Sequence, residues 1–313
     1  MKIMFMGTPD FAVASLRALV ESGAGEITVI TQPDKPKGRK MILTPPEVKV
    51  YAESVGLPVY QPKTLRDEEF DAFLHEKDPE IIIVAAYGKI LPKTVIDYPK
   101  YGCINVHGSL LPKYRGAAPV QRCLINGESE TGNTIMYMDE GLDTGDMIAR
   151  SIVPIEIDDN AETLFNKMAL DGASLLLSTL PSIIDGSCQR KKQNDADATY
   201  AQKVGKEDCL IDFSMTAKEL HDRVRGLSPY LYAYAMRGET MLKLVRTALT
   251  DKKTEKEEGT LLSDGKKLFV ACGGGTLLEI IEVLPAGKKQ MKSTDYLRGN
   301  PIKDGEKLVS VKE

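Results

Sequence analysis

The chain is poor in the residues from which most protein metal centres are built. It has three histidines in 313 residues. Its five cysteines, at positions 103, 123, 188, 209 and 272, are scattered and include no C-x-x-C pair. Such a set supports neither a disulfide framework nor a zinc site, and it fits a reducing cytoplasm. No run of 18 or more apolar residues exists, so no membrane-spanning helix is expected. The apolar run at the N-terminus is too short for a signal peptide and meets a turn at residues 7–10. Gly7-Thr8-Pro9 is not G-x-G-x-x-G, which argues against a nicotinamide dinucleotide. Gly108-Ser109-Leu110 is not the G-x-S-x-G of a nucleophile elbow. Internal repeats and low-complexity tracts are missing too. With a net charge of only −4, nothing global advertises a polyanionic partner.

What remains is an ordinary globular composition, 42% hydrophobic and 27% charged. The length suggests two domains. Strand and helix signals alternate through the first half. Residues 2–6, 26–31, 80–86, 102–106 and 134–138 read as strands. Residues 80–86 form a continuous apolar run, the mark of a strand covered on both faces. Pro9 suits an early helical position, and Phe11, Ala14, Leu16, Leu19 and Val20 follow as a helical stripe. Residues 47–55 and 161–184 also carry helical patterns. The fold class expected is therefore α/β, with an open, doubly wound sheet. Residues 189–206 are polar and charged and read as a linker between a domain at 1–188 and another at 207–313. Beyond it, residues 215–224 look helical. Short strands at 241–249, 259–262, 267–272 and 276–284 suggest a small β-barrel. Charge divides near the same boundary. Residues 204–313 hold 19 Lys+Arg against 17 Asp+Glu, while residues 1–203 hold 22 against 28.

The chemistry concentrates between Gly102 and Asp146. Asn105-Val106-His107 ends a strand, and period two places the Asn and His side chains on one face. In a doubly wound sheet, ligands gather at such strand ends. A polar pair capping a strand end is the plain alternative. After the strand at 134–138 comes Asp139-Glu140-Gly141-Leu142-Asp143-Thr144-Gly145-Asp146, which lacks the ligand spacing and terminal Glu of an EF-hand loop. A carboxylate held by a tight turn is the simpler interpretation, and a histidine needs such a partner to fix its tautomer. Together Asn105, His107 and Asp143 suit acyl transfer. The first two would donate to a tetrahedral oxyanion, and the carboxylate would orient His107 or take up a proton. Without an activated Ser or Cys, direct transfer to an amine is favoured over a covalent enzyme intermediate.

Asn105-Val106-His107-Gly108-Ser109-Leu110-Leu111-Pro112-Lys113-Tyr114-Arg115-Gly116, followed by Leu142-Asp143-Thr144-Gly145 at an Asn-to-Asp separation of 38 residues, resembles the folate-dependent formyltransferase signature. Gly7-Thr8-Pro9-Asp10-Phe11 and the segment from Thr31 to Lys40 extend the resemblance to those members that formylate a charged initiator tRNA. The resemblance implies a Rossmann-like formyltransferase domain with a smaller OB-like β-barrel domain that binds tRNA. It implies 10-formyltetrahydrofolate as donor, no metal, and the α-amine of initiator methionyl-tRNA as acceptor. Asn105, His107 and Asp143 match its catalytic trio. Ser109, Leu110, Leu111 and Pro112 match its folate-binding stretch. Lys37, Arg39 and Lys40, on the basic loop at 34–40, match a segment that enters the acceptor stem. The cations Lys206, Arg223, Arg225, Lys243 and Arg246 are further candidates for tRNA backbone contacts. A monomer with no membrane partner is expected. The alternatives are a formyltransferase for a small amine, a formyltetrahydrofolate hydrolase, or an RNA-binding module with a decayed site.

Overall fold

The structure is a computed structural model that describes residues 1–38 and 41–310. The chain divides into two compact units. The first comprises Met1–Pro119, Glu130–Pro154 and Phe165–Ala201, and the second comprises Val120–Ser129, Ile155–Leu164 and the chain from Gln202 onward.

The elements up to residue 184 follow one another as β1 (Lys2–Gly7), α1 (Asp10–Glu21), β2 (Glu26–Ile30), β3 (Lys35–Lys37), β4 (Ile42–Thr44), α2 (Glu47–Ser54), β5 (Val59–Tyr60), α3 (Glu68–Lys77), β6 (Ile81–Ala85), α4 (Lys93–Ile96), β7 (Cys103–His107), α5 (Pro119–Ile125), β8 (Glu130–Tyr137), β9 (Met147–Pro154) and α6 (Ala161–Ile184). The first unit is built on a seven-stranded sheet in the order β5-β2-β1-β6-β7-β8-β9. Its first five strands are parallel, β8 runs against them, and β9 pairs antiparallel with β8 and so returns to their direction. Every residue of β6 is buried, as its unbroken apolar run requires. Helix α1 begins one residue later than Pro9 suggests, because Pro9 stays extended (φ −85°, ψ 178°) and caps the helix. The helix buries Phe11, Ala12, Ser15, Leu16 and Leu19, and Phe11 meets Phe165 edge to face at 6.5 Å. Strand order reverses between β1 and β6. In such sheets this switch point opens a crevice at the carboxyl ends of the strands. There the carbonyl of Tyr87 accepts from Thr8 Oγ1 (2.9 Å) and Gln32 Nε2 (2.7 Å).

In the second unit, α7 (Ala217–Leu227) opens on a capping box between Thr216 and Glu219. Strands β10 (Ala233–Arg237), β11 (Thr240–Lys253), β12 (Leu261–Ser263), β13 (Leu268–Cys272), β14 (Thr276–Pro285), β15 (Met291–Lys292) and β16 (Leu308–Val309) form an antiparallel sheet, with α8 (Ser293–Gly299) between the last two. The sheet order is β12-β13-β14-β11-β10-β16, with β15 beside β14. The sheet curls shut. Leu308 N donates to the Gly259 carbonyl (2.8 Å) and Leu261 N to that of Glu306 (2.8 Å), joining the β16 edge to the β12 edge. Closure removes the exposed edges and encloses Leu242, Leu244, Leu268, Val270, Leu278, Ile280 and Val283, all buried. The 14-residue β11 passes register shifts between Leu244 and Thr247, and β-bulges of this kind let one strand turn a corner. Among the described residues, no helix is long and apolar enough to cross a membrane.

Candidate functional site

Strand β7 carries Asn105 and His107 to the carboxyl end of the sheet. Asn105 lies between Val84 of β6 and Met136 of β8, and His107 lies opposite Thr134. Both are buried, and alternation along the strand directs both side chains to one face while Val106 takes the other. Among the described residues, the Asn105 side-chain amide has no hydrogen-bond partner. An amide donor left open at a strand end is available to a ligand.

The chain then turns through residues 108–116. Ser109 Oγ donates to the Lys113 carbonyl (2.7 Å), and Thr134 Oγ1 bridges the Ser109 carbonyl (2.6 Å) and the Leu111 N–H (3.1 Å). Leu111 is fully buried against Met136 and Met147, ahead of a cis Leu111–Pro112 bond, and Leu110 is half-buried. Ser109 is thus spent on its own turn. The stretch 109–112 presents its backbone and Leu110 rather than the serine hydroxyl.

Asp143 arrives from the other side of β8. The loop at 139–146 is shaped by Asp139 Oδ1, which accepts from Gly141 N (3.0 Å) and Thr144 Oγ1 (2.6 Å). It packs so tightly that a Cβ on Gly145 would lie 1.9 Å from the Tyr137 carbonyl. Asp143 adopts φ +54°, a left-handed conformation that a non-glycine residue rarely takes. Its Oδ2 accepts from the Gly116 N–H (2.8 Å), and its Oδ1 lies 3.6 Å from His107 Nδ1. The other ring nitrogen, Nε2, is 3.1 Å from the Tyr114 carbonyl. The imidazole is therefore hydrogen-bonded at one nitrogen by a main-chain carbonyl and faces a carboxylate with the other.

Two residues that sequence reasoning assigned no role support this pair. Arg115, only 2% exposed, sends Nε and Nη2 to Gln193 Oε1 (3.1 and 2.9 Å) and Nη2 to Asp195 Oδ1 (2.8 Å). Gln193 Nε2 donates to the carbonyls of Asp143 and Gly145, each at 2.8 Å. Arg115 stood inside the recognised signature, so its position was visible without its function. Gln193 lies in a polar run with no sequence signal at all. The segment expected as a linker, 189–206, is in its first part bound to this unit. Lys191 pairs with Met147, Thr199 O accepts from Arg115 N (2.8 Å), and Ala201 N donates to Arg115 O (2.7 Å).

The basic loop is a hairpin of β3 and β4, paired from Lys35↔Thr44 to Lys37↔Ile42. Lys37 is exposed and forms an ion pair with Glu47 at 2.9 Å. Beside it Met41, Ile42 and Leu43 are all more than 60% exposed, and in the hairpin Ile42 pairs with Lys37 and Leu43 with Pro36. Arg39 and Lys40 lie outside the described residues. In the second unit Lys206 and Arg246 are exposed, and Lys243 is half-buried with its ammonium 5.8 Å from the Tyr232 ring centroid. Arg225 does not fit the expectation of a tRNA contact. It is 7% exposed, paired with Asp222 at 2.7 Å, and donates to the Glu156 carbonyl (2.9 Å), because the helical spacing of α7 turns it into the unit. Among the described residues, no three His, Cys, Asp or Glu side chains converge as a metal ion would need.

Residues 1–180 match the family model for formyl transferase, and residues 203–301 match that for the formyl transferase C-terminal domain. The chain is 45% identical to methionyl-tRNA formyltransferase of Bacillus velezensis, over 100% of this chain and 99% of that protein. It is 47% identical to the Bacillus subtilis enzyme of the same name, over 98% and 97%. The chain belongs to the methionyl-tRNA formyltransferase family. The likeness extends to more distant formyltransferases in fold. An N-formyltransferase from Helicobacter canadensis, solved with folinic acid and dTDP-3-aminofucose, superposes with a TM-score of 0.68 at 21% identity, covering 90% of this chain and 98% of that one.

Proposed function

We infer that this formyltransferase moves a formyl group from 10-formyltetrahydrofolate to the α-amine of methionine on charged initiator tRNA. The observation that carries the site assignment is the meeting of His107 and Asp143 at 3.6 Å beside Asn105, three side chains brought together from β7 and a distant loop. The amine attacks the formyl carbon, a C–N bond forms, and the carbonyl oxygen becomes an oxyanion. The Asn105 amide stabilises that charge, joined by the His107 Nε2–H once it turns from the Tyr114 carbonyl to the oxyanion, and one such donor is typically worth roughly 10² to 10³ in rate. The bond from the formyl carbon to folate N10 then breaks, leaving tetrahydrofolate after N10 takes a proton. The attacking amine loses a proton, which the Asp143 carboxylate, 3.6 Å from His107 Nδ1, takes up.

The pterin ring occupies the crevice at the switch point, with the backbone at 109–112 and Leu110 beside it. The chain after β6 supports this. Ala86 there adopts φ +45°, a non-glycine residue in a conformation that clusters at ligand sites. The domain at 1–188 carries the chemistry. The domain at 207–313 and the hairpin with Lys37, Arg39 and Lys40 meet the tRNA, whose phosphates suit cations. The enzyme works as a monomer in the cytoplasm, where charged initiator tRNA is used.

The test is a formyl-transfer assay with 10-formyltetrahydrofolate and either methionyl initiator tRNA or free amines. Formyl-methionyl-tRNA is the expected product. Turnover with a small amine or with water, and none with tRNA, would instead identify a small-amine formyltransferase or a hydrolase.

A further inference from the structure

We propose that Gln193, oriented by the buried Arg115, is the residue that positions Asp143 for catalysis; this rests on the assignment of Asp143 above. Asp143 holds a left-handed backbone, φ +54°, and such a conformation persists only where its surroundings impose it. Besides the contacts of Asp139 within the loop, one side-chain amide bonds the backbone at this point. Gln193 Nε2 donates to the carbonyls of Asp143 and Gly145, both at 2.8 Å, so the two ends of the turn are pinned to one nitrogen.

The amide has only one workable orientation. Its oxygen accepts twice from the Arg115 guanidinium, at 3.1 and 2.9 Å, and guanidinium offers donors alone. Flipped, the amide would set its NH₂ against those donors and its oxygen against two carbonyls. Arg115 is held in turn. Its main chain pairs with Thr199 and Ala201, and its guanidinium also reaches Asp195.

The residues on either side of Arg115 touch the reacting pair directly. The Tyr114 carbonyl meets His107 Nε2 at 3.1 Å, and the Gly116 N–H meets Asp143 Oδ2 at 2.8 Å. Residues 114–116 thus hold both catalytic side chains, while Arg115 acts through Gln193 to hold the backbone behind one of them. The His107–Asp143 contact is 3.6 Å, so a small slip of the loop separates the two groups. Gln193 contacts no group assigned to the chemistry except through this backbone, which makes it a positioning residue.

The experiment compares Gln193→Ala and Gln193→Glu with the parent enzyme in steady-state formyl transfer, each checked for folding by its thermal midpoint. Gln193 is half-buried, so the thermal midpoint is the check that each variant folds. Gln193→Glu keeps the acceptor for Arg115 and loses the donors to the turn. Both variants are expected to lose roughly tenfold to 10²-fold in kcat, the effect of an ångström-scale misplacement, with KM for either substrate within about threefold. In an Asp143→Asn background, Gln193→Ala should cost little further, because the two act as one unit. Folded Gln193 variants with parental kcat would overturn the proposal, as would losses that multiply with Asp143→Asn. Parental kcat in Asp143→Asn alone would remove the role of Asp143 itself, and this proposal with it.

Discussion

Gly116→Ala tests the site's architecture most sharply, because backbone geometry and chemistry meet at that residue. Gly116 has φ +118°, a region that residues with a side chain rarely enter. A Cβ there would sit 2.9 Å from the Ala201 carbonyl, and that oxygen is tied in place by the Ala118 N–H at 3.1 Å. Strain of about 1 to 3 kcal/mol follows from the conformation, and about 1 kcal/mol more if the Ala201 hydrogen bond yields. A loss of that size lowers the melting midpoint by several degrees, on the order of 2 to 4 °C for each kcal/mol. The Gly116 N–H also donates to Asp143 Oδ2 at 2.8 Å, so relief of the strain tilts the carboxylate away from His107. A fall of roughly tenfold or more in kcat is expected. The control is Gly186→Ala, at φ +75° with nothing within 4 Å of the added carbon. It should cost only about 1 to 2 kcal/mol of backbone strain and leave the rate alone. The assays are melting followed by circular dichroism and single-turnover formyl transfer well below the midpoint. If Gly116→Ala melted and reacted like the parent, the strained support for Asp143 would be refuted.

Three further predictions concern other parts of the chain. Asn105→Ala should lower kcat by roughly 10² to 10³ with folate affinity nearly kept, and a rate close to normal would remove the amide from the oxyanion site. Arg39→Ala should raise KM for tRNA while folate binding stays unchanged, and an equal loss in both would undo the assignment of the basic loop. In the second unit, burial pushes the His221 pKa below its usual 6.5, against hydrogen bonding to the Ile157 carbonyl. The folded state then favours the neutral ring, and the unfolded chain binds the extra proton as pH falls. The stability is fully present above pH 6.5 and is lost below it. Melts of the parent between neutral and mildly acid pH should show that slope, and His221→Gln should flatten it. An unchanged slope would assign the acid sensitivity elsewhere.

Local pattern carried a great deal of this molecule. The apolar run in β6 announced a doubly covered strand, and the periodicity over Ala161–Ile184 announced α6. Alternation put Asn105 and His107 on one face without any tertiary knowledge, since a strand has only two faces. Elsewhere the local signal failed for identifiable reasons. Strand β9 mixes exposed and buried positions irregularly and includes Arg150 and Ser151, so its membership in the sheet comes from pairing with β8 rather than from its own composition. The antiparallel turn of β8 likewise follows from the path of the chain, which no window of residues records. Arg225 looked like a surface cation because charge is normally solvated, whereas a partner three residues away lets it be buried.

The division is clearest at the loop that carries Asp143. Sequence by itself singled out the side chains proposed for the chemistry: an amide and an imidazole two residues apart on a strand, and a carboxylate in a glycine-bounded turn. Only the tertiary structure decided what holds them. Arg115 and Gln193 are separated by 78 residues, and Gln193 and Asp143 by 50. A hydrogen bond across such distances depends on where two backbones are brought together by packing. That juxtaposition is a property of the folded chain and leaves no trace in the residues around Gln193.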